Sequence, residues 1–373
     1  MRIGLNLLPV VPGIGGAWHY IANLISALAQ SDRQNEYVAF VTGASASLVP
    51  VQDNFTSVHL PIHAEWRALR IGFENSVLPM LTRTRRLDCM HHFFGTLPIL
   101  GSEPSIVSVF DLMVFARPSD FSPTKRAYLQ WMRRRAAKHA SLLAPMSRTT
   151  AESLSDWLAV PGDRMTVVST AIGPQFHPRT ESEVREFRAR HALNGEFWLC
   201  VSGVLPHKNI PRLIEAFAQL RRMAPDGWSL VIRGGRSGET DRLVAAHALE
   251  SHVQFLPWLH DNEMPLLYSS ASALIFPSLF EGGGLPVMEA MSSGCPVVAS
   301  NLPTTREFAQ DAALTFEPTD VHDITRAMHE CEESPALRQR LSRSGQQRAS
   351  QFSPRTVAAS CIDAYRRAVP LPG

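Results

Sequence analysis

Glu281 and Glu289 bracket the run Gly282-Gly283-Gly284-Leu285-Pro286-Val287-Met288, and here residue types and spacing point most directly to chemistry. Three glycines let a backbone come close to a ligand, and Pro286 suits the first turn of a helix, where its missing N–H costs nothing. N–H groups of that loop would then share one point with the positive end of a helix dipole, which is what a diphosphate needs. Glu281 precedes that helix and Glu289 lies about one turn inside it. The two carboxylates therefore address different parts of one bound molecule, one a sugar and the other a ribose. Lys208 stands in a second loop, Gly203-Val204-Leu205-Pro206-His207-Lys208-Asn209. An ammonium there can neutralise a diphosphate as it departs. Taken singly, a loop lysine is a solvated lysine and a glycine run is a tight turn; the pattern as a whole carries the reading.

The elements that must position these groups are legible as alternating short apolar runs and longer segments of helical period, the mark of βα units and parallel sheets. A first series of strands is expected at Ile3 to Leu8, Val38 to Val41, Val58 to Leu60, Cys89 to His92, Ile106 to Phe110, Leu142 to Pro145 and Met165 to Val168. A polar stretch from Arg179 to Asn194 interrupts it. A second series follows at Phe197 to Ser202, Leu230 to Arg233, Val253 to Leu256, Ala273 to Phe276, Val297 to Ser300 and Leu314 to Phe316. The pattern predicts an α/β chain of two Rossmann-like parallel-sheet domains, 1–178 and 179–354, with a last helix within 355–373 crossing back onto the first. Ligands of such sheets sit beyond the carboxyl ends of the strands, so two domains facing each other would enclose a cleft.

Composition narrows the class further. A chain of 373 residues exceeds one core. Thirty-six Lys plus Arg against 34 Asp plus Glu leave a net charge of +2, too balanced for a nucleic-acid coat. The 5 cysteines lack CxxC spacing, so neither a disulfide framework nor a zinc site is indicated, and a reduced cytosol fits. No leader and no membrane span is apparent, which predicts a soluble cytoplasmic protein. Ser/His/Asp and HExxH patterns are missing, so hydrolytic and metal-centred chemistry lack support and no metal or organic cofactor is expected.

The Glu281 to Glu289 segment resembles the Glu-x7-Glu motif of glycosyltransferase family 4. The likeness extends to Gly294-Cys295-Pro296-Val297-Val298-Ala299-Ser300, to the Gly203–Ile210 loop and to Leu213-Ile214-Glu215-Ala216-Phe217. It implies a GT-B fold and a retaining transfer of a hexose from a nucleotide-diphosphate sugar to a hydroxyl of a glycan or lipid-linked acceptor. Attack occurs in that family from the face the leaving group departs from, and the leaving phosphate takes the acceptor proton. By the resemblance, Lys208, Glu281 and Asp111 serve catalysis, and Gly15, Gly16, Gly203, Arg233, Gly282, Gly283, Gly284, Leu285 and Glu289 hold the donor. General likeness to bacterial mannosyltransferases of surface-polysaccharide assembly makes GDP-mannose the first guess for the donor, with UDP-sugars open.

Two positions depart from the family pattern. Val204 stands where many relatives carry an arginine, leaving Arg233 or Arg212 to substitute. Phe110-Asp111-Leu112 stands where relatives carry His-Asp-Leu, so Phe110, with His91 and His92 at the end of the preceding strand, is expected on the sugar or acceptor side. Gly13-Ile14-Gly15-Gly16 resembles the family's glycine turn; it lacks the third glycine and the ribose acid of a dinucleotide fingerprint. Basic residues at Arg83, Arg85 and Arg86 and from Lys125 to Lys138 interleave with Tyr128, Leu129, Trp131 and Met132. Such a face holds an anionic membrane surface or a lipid diphosphate, or is merely solvated. Two further readings stay open: a non-catalytic sugar-nucleotide-binding partner of another transferase, and a GT-B sugar-nucleotide epimerase.

Overall fold

A computed structural model describes residues 1–13, 15–101 and 104–369. The chain divides into two compact units: Met1–Ala171 together with the C-terminal stretch from Phe352, and Ile172–Gln351. Ile14 of the glycine turn lies outside the described residues.

The first unit is built on strands β1 (Arg2–Asn6), β2 (Glu36–Val41), β3 (Phe55–His59), β4 (Cys89–His92), β5 (Ser105–Val109) and β6 (Leu142–Pro145). The second uses β7 (Phe197–Val201), β8 (Ser229–Arg233), β9 (Val253–Leu256), β10 (Ala273–Phe276), β11 (Val297–Ser300) and β12 (Ala313–Phe316). Each set forms a 6-stranded sheet, ordered β3-β2-β1-β4-β5-β6 and β12-β11-β10-β7-β8-β9. Every pairing is parallel. Near-continuous burial of runs such as Ser105–Val109 explains why they read as solid apolar strands: helices cover both faces.

The strand order reverses beside β1 in the first sheet, between β1 and β4, and beside β7 in the second, between β7 and β10. At such switch points the following loops run to opposite faces and leave a crevice open at the strand ends. The loops after β7 and β10 carry Lys208 and Glu281, so topology alone brings the two sequence-distant motifs together.

Two expected strands are corrected. The third begins earlier, at Phe55. Met165 to Val168 forms no strand: Met165 makes a single bridge to Leu143, and only the amides of Thr166 and Val168 reach carbonyls of β6.

The helix Pro354–Ala368 completes the first core. Ser353 caps it by accepting the Thr356 N–H, Pro354 opens it, and Val357, Ala358, Cys361, Ala364, Tyr365 and Ala368 form one buried stripe. That stripe packs on Tyr20, Ile21, Leu24 and Leu28 of the helix Gly15–Ser31. Tyr365, fully buried, also bonds through its hydroxyl to Nδ1 of His91 at 2.9 Å, while Nε2 of His91 lies 2.8 Å from the Ser108 hydroxyl. Tyr365→Phe keeps the ring and removes the hydroxyl, stranding a buried imidazole nitrogen. It is expected to lower unfolding free energy by about 1–3 kcal/mol in urea titrations, with an unchanged denaturant slope.

Candidate functional site

The Lys208 Nζ lies 2.6 Å from Glu281 Oε1, both side chains being largely shielded from solvent at 20% and 14% exposure. Bonds on either side hold the ammonium there. The His207 carbonyl accepts the Leu279 N–H at 2.7 Å. Asn209 donates through Nδ2 to the carbonyls of Pro277 (3.0 Å) and Pro318 (2.8 Å), which ties the loop after β7 to those after β10 and β12. Asn209 also takes the left-handed conformation, φ 59°, needed to turn from the short 3-10 turn Pro206–Lys208 into the helix Ile210–Met223. Arg212 supports Asn209 through its Oδ1.

Helix Leu285–Ser292 starts at Gly284, whose φ of −118° lies outside the left-handed region. None of Gly282, Gly283 and Gly284 is among the left-handed residues; their value is small size beside the helix N-terminus rather than an unusual backbone angle. Beside this loop, Gly234 and Gly235 are the glycines with a left-handed backbone, at φ +77° and +69°, directly after β8. A Cβ on Gly234 would come 2.2 Å from the Ser202 carbonyl oxygen, so the loops after β7 and β8 meet only because that side chain is missing. Gly203 sits in the same β7 loop with open space about it.

Glu289 projects from the helix into a buried polar group. The Tyr268 hydroxyl donates to its Oε2 at 2.9 Å, and Arg233, at the carboxyl end of β8, lies within electrostatic reach. Burial pushes the Glu289 carboxyl up to about 8; the Tyr268 hydrogen bond opposes this, Asp261 adds to it, and Arg233 opposes it. Arg233 is itself buried, stacks its guanidinium 3.7 Å from the centroid of the exposed Trp258 ring and donates weakly to the Leu259 carbonyl. Of the two stand-ins for the arginine missing at the exposed Val204, Arg212 is engaged with Asn209, and Arg233 is the one that addresses Glu289. Phe176 fixes the far side: its carbonyl accepts the Ser292 hydroxyl at 2.7 Å and its ring meets Tyr268 edge-on at 6.1 Å.

In the first unit, Gly13 and Gly15 both turn left-handed, φ 69° and 71°, with empty space where a Cβ would be, and Gly16 continues the helix that Gly15 opens. Asp111 caps a turn by accepting the Met113 N–H at 2.9 Å and faces the Arg133 guanidinium electrostatically. Phe110 lies between Tyr20 and Phe94, ring centroids 5.0 and 5.3 Å away, a packing role. The expectation for His91 is corrected: it is wholly buried, both ring nitrogens are taken by Tyr365 and Ser108, and burial lowers its titration to about 3. It offers a sugar nothing. His92 is buried too, lowered to about 4 by burial, with Nδ1 3.2 Å from Asn6 Nδ2.

Tyr268, Trp258 and Gly234 escaped the sequence reading, and Asn209 entered it only as part of the Lys208 loop. Only the Arg233-Gly234-Gly235 run, glycines directly after a strand, carried a local signal. Among the described residues, no group of three or more His, Cys, Asp or Glu side chains is placed to hold a metal.

Residues 15–171 match the family described as glycosyl transferase 4-like domain, and residues 183–348 that described as glycosyl transferases group 1. The chain is 27% identical over 268 residues to O-antigen chain mannosyltransferase B of Escherichia coli, covering 71% of this chain and 70% of the relative. It is 28% identical over 280 residues to O-antigen chain mannosyltransferase RfbU of Salmonella typhimurium, covering 74% and 70%. Among solved structures it is similar to sucrose-phosphate synthase from Thermosynechococcus elongatus, with TM-score 0.80 at 18% identity over 98% of both chains. It is also similar to WaaG, a glycosyltransferase involved in lipopolysaccharide biosynthesis, with TM-score 0.77 at 14% identity over 97% and 99%.

The buried Glu289 and the two buried histidines titrate in opposite senses. Glu289 binds its proton more tightly folded than unfolded, so its contribution to stability is full below the ordinary glutamate value of 4.5 and is lost as pH rises towards about 8. His91 and His92 bind protons less tightly folded, so theirs is full above the ordinary value of 6.5 and is lost as pH falls towards about 3 and 4 respectively. Glu289→Gln is expected to flatten the decline of unfolding free energy between about pH 6.5 and 8, where the two histidines contribute little, and to leave the limb below pH 4.5 in place. A wild-type curve that stays level across about pH 6.5 to 8 would contradict this.

Proposed function

The chain belongs to the glycosyltransferases, a 4-like domain followed by a group 1 domain in the GT-B fold, and on that premise we propose that it moves mannose from GDP-mannose, with retention of configuration, onto a hydroxyl of a glycan or lipid-linked acceptor in surface-polysaccharide assembly. The observation that carries the reading is the Lys208–Glu281 pair at the β7/β10 switch point, beside the amino end of the Leu285–Ser292 helix. The choice of mannose is supported by the names of the E. coli and Salmonella relatives.

On this reading the donor diphosphate takes Lys208 from Glu281 and lies against the amides of Gly282 to Leu285, and Glu281, released, faces the sugar. Glu289 accepts from the ribose hydroxyls. As the bond from C1 to the phosphate oxygen breaks, that oxygen gathers charge that Lys208 neutralises. The acceptor oxygen bonds to C1 from the same face, and its proton passes to the leaving phosphate. Asp111 is assigned to the transfer as well. Lysine, amides and helix dipole supply the positive charge, so the reaction asks for no metal or organic cofactor. No helix among the described residues is long and apolar enough to cross a membrane. The reading places the protein on the cytoplasmic side, with its basic Pro123–His139 helix in peripheral contact with the inner surface.

Lys208→Ala is expected to lower turnover about 10²–10³-fold with little change in donor KM, since its interaction strengthens as the phosphate leaves. Glu289→Ala should instead raise donor KM about tenfold. Unchanged transfer in both variants contradicts the assignment. Among GDP, UDP, ADP and TDP, GDP should raise the melting temperature most, and a larger shift with UDP would overturn the choice of donor.

A further inference from the structure

The first unit contains a cavity of about 380 Å³ between the helices Arg67–Thr84 and Pro123–His139, floored by the loop after β4. Four cationic side chains line it: Arg67, Arg70, Lys125 and Arg133. Among the described residues the one acid in its wall is Glu74, whose carboxyl burial pushes upward and whose Oε1 accepts from Asn6 Nδ2 at 3.0 Å; outside the wall, Asp111 faces Arg133 electrostatically, so the four cations outnumber the nearby acids. The Glu74 Oε2 stands 3.8 Å from Arg70. Arg67 rests on the Tyr128 ring at 4.7 Å and Lys125 near the Phe121 ring at 5.6 Å, contacts that orient a cation without neutralising it.

Arg133 is the most constrained of the four. Its guanidinium donates to the carbonyl of Phe94 and lies where any Cβ on Gly95 would come within 2.8 Å. Phe94 and Gly95 are both left-handed, φ 63° and 58°, an uncommon conformation for a bulky aromatic residue, and together they turn that carbonyl towards Arg133. The buried Nε atoms of Arg133 and Arg70 have no hydrogen-bond partner among the described residues. A buried guanidinium N–H without an acceptor is costly, and an anion with several oxygens removes that cost.

Apolar groups edge the same cavity. Ile99 and Trp131 line it and are 52% and 48% exposed, and Leu100 follows Ile99 at 59%. Half-buried Arg70 and Arg133, exposed Arg67 and Lys125 and the large exposed apolar side chains beside them suit one amphiphilic anion. We propose that this cavity holds the phosphate group of the acceptor, a phosphate ester that carries a hydrocarbon chain. Arg133 and Lys125 grip the phosphate from one helix, Arg67 and Arg70 from the other, and Trp131 with Ile99 meets the chain. Arg133 also faces Asp111 electrostatically, which sets the bound ester beside a group assigned above to the transfer. The inference rests on the reading of the chain as a transferase with an external acceptor, and it gives that acceptor a charge and an apolar tail.

The test is calorimetric titration of the full chain with decyl phosphate below its micelle concentration, in the presence of whichever nucleoside diphosphate most raises the melting temperature, so that the donor site is filled. Saturable binding of one equivalent is expected, about tenfold tighter than that of glucose 1-phosphate and weakening with added salt. Arg67→Ser combined with Lys125→Ser should weaken it by tenfold or more, at about tenfold per lost charge-assisted bond. Arg134→Ser combined with Lys138→Ser, on the same helix but outside the cavity, should not. Retention of the nucleotide-induced melting shift shows that each variant folds. Absence of saturable binding, equal binding of glucose 1-phosphate, equal loss in both double variants, or binding only to phosphatidylglycerol vesicles would each overturn the proposal. If no nucleotide shifts the melting temperature, the donor reading fails instead; a shift without decyl phosphate binding sinks the cavity alone.

Discussion

A half-sequestered cation must have a counter-charge at all times, and the second unit is organised around that requirement. Lys208 is shielded at the one place where the strand order leaves a crevice, and Glu281, from the loop across it, neutralises it at 2.6 Å. An unpaired ammonium in such a spot would be strongly destabilising. On the proposed function a diphosphate would bring two charged phosphoryl groups to the same point, compete for Lys208 on favourable terms and free Glu281 for another partner. The pair would then serve folding before a donor arrives and binding afterwards.

The surrounding structure makes that exchange local. Asn209 and the His207 carbonyl fasten the Lys208 loop to the loops after β10 and β12. Gly234 lets the β8 loop approach Ser202. Tyr268, on the helix before β10, donates to the Glu289 carboxyl, Arg233 acts on it from β8, two strands away, and Phe176 packs beside Tyr268. In the first unit the C-terminal helix closes the core over the helix that Gly15 opens, with the Tyr365–His91–Ser108 chain of hydrogen bonds running through its centre.

Much of this was legible in the residues alone. The alternation of apolar runs and helical segments yields both sheets because strands covered on two faces must be apolar throughout. The Glu281–Glu289 spacing and Pro286 mark a helix N-terminus because those residue types have few other uses together. What the sequence hid are contacts between distant positions. Tyr268 and Glu289 meet only after β10 and its flanking helices pack, and Arg233 with Trp258 only because β8 and β9 are neighbours. His91 reads as a candidate ligand because a strand-end histidine carries no sign of the tyrosine, 274 positions on, that encloses it. Met165 to Val168 has strand composition, yet it makes only intermittent bonds to β6 and so falls short of a ladder.

A crystal structure of the chain with a nucleoside diphosphate bound would examine the Lys208 exchange directly. The account requires Lys208 Nζ within hydrogen-bond distance of a phosphate oxygen, Glu281 released from it, and the ribose hydroxyls on Glu289. A complex in which the Lys208–Glu281 pair stays closed while the diphosphate lies elsewhere would contradict it.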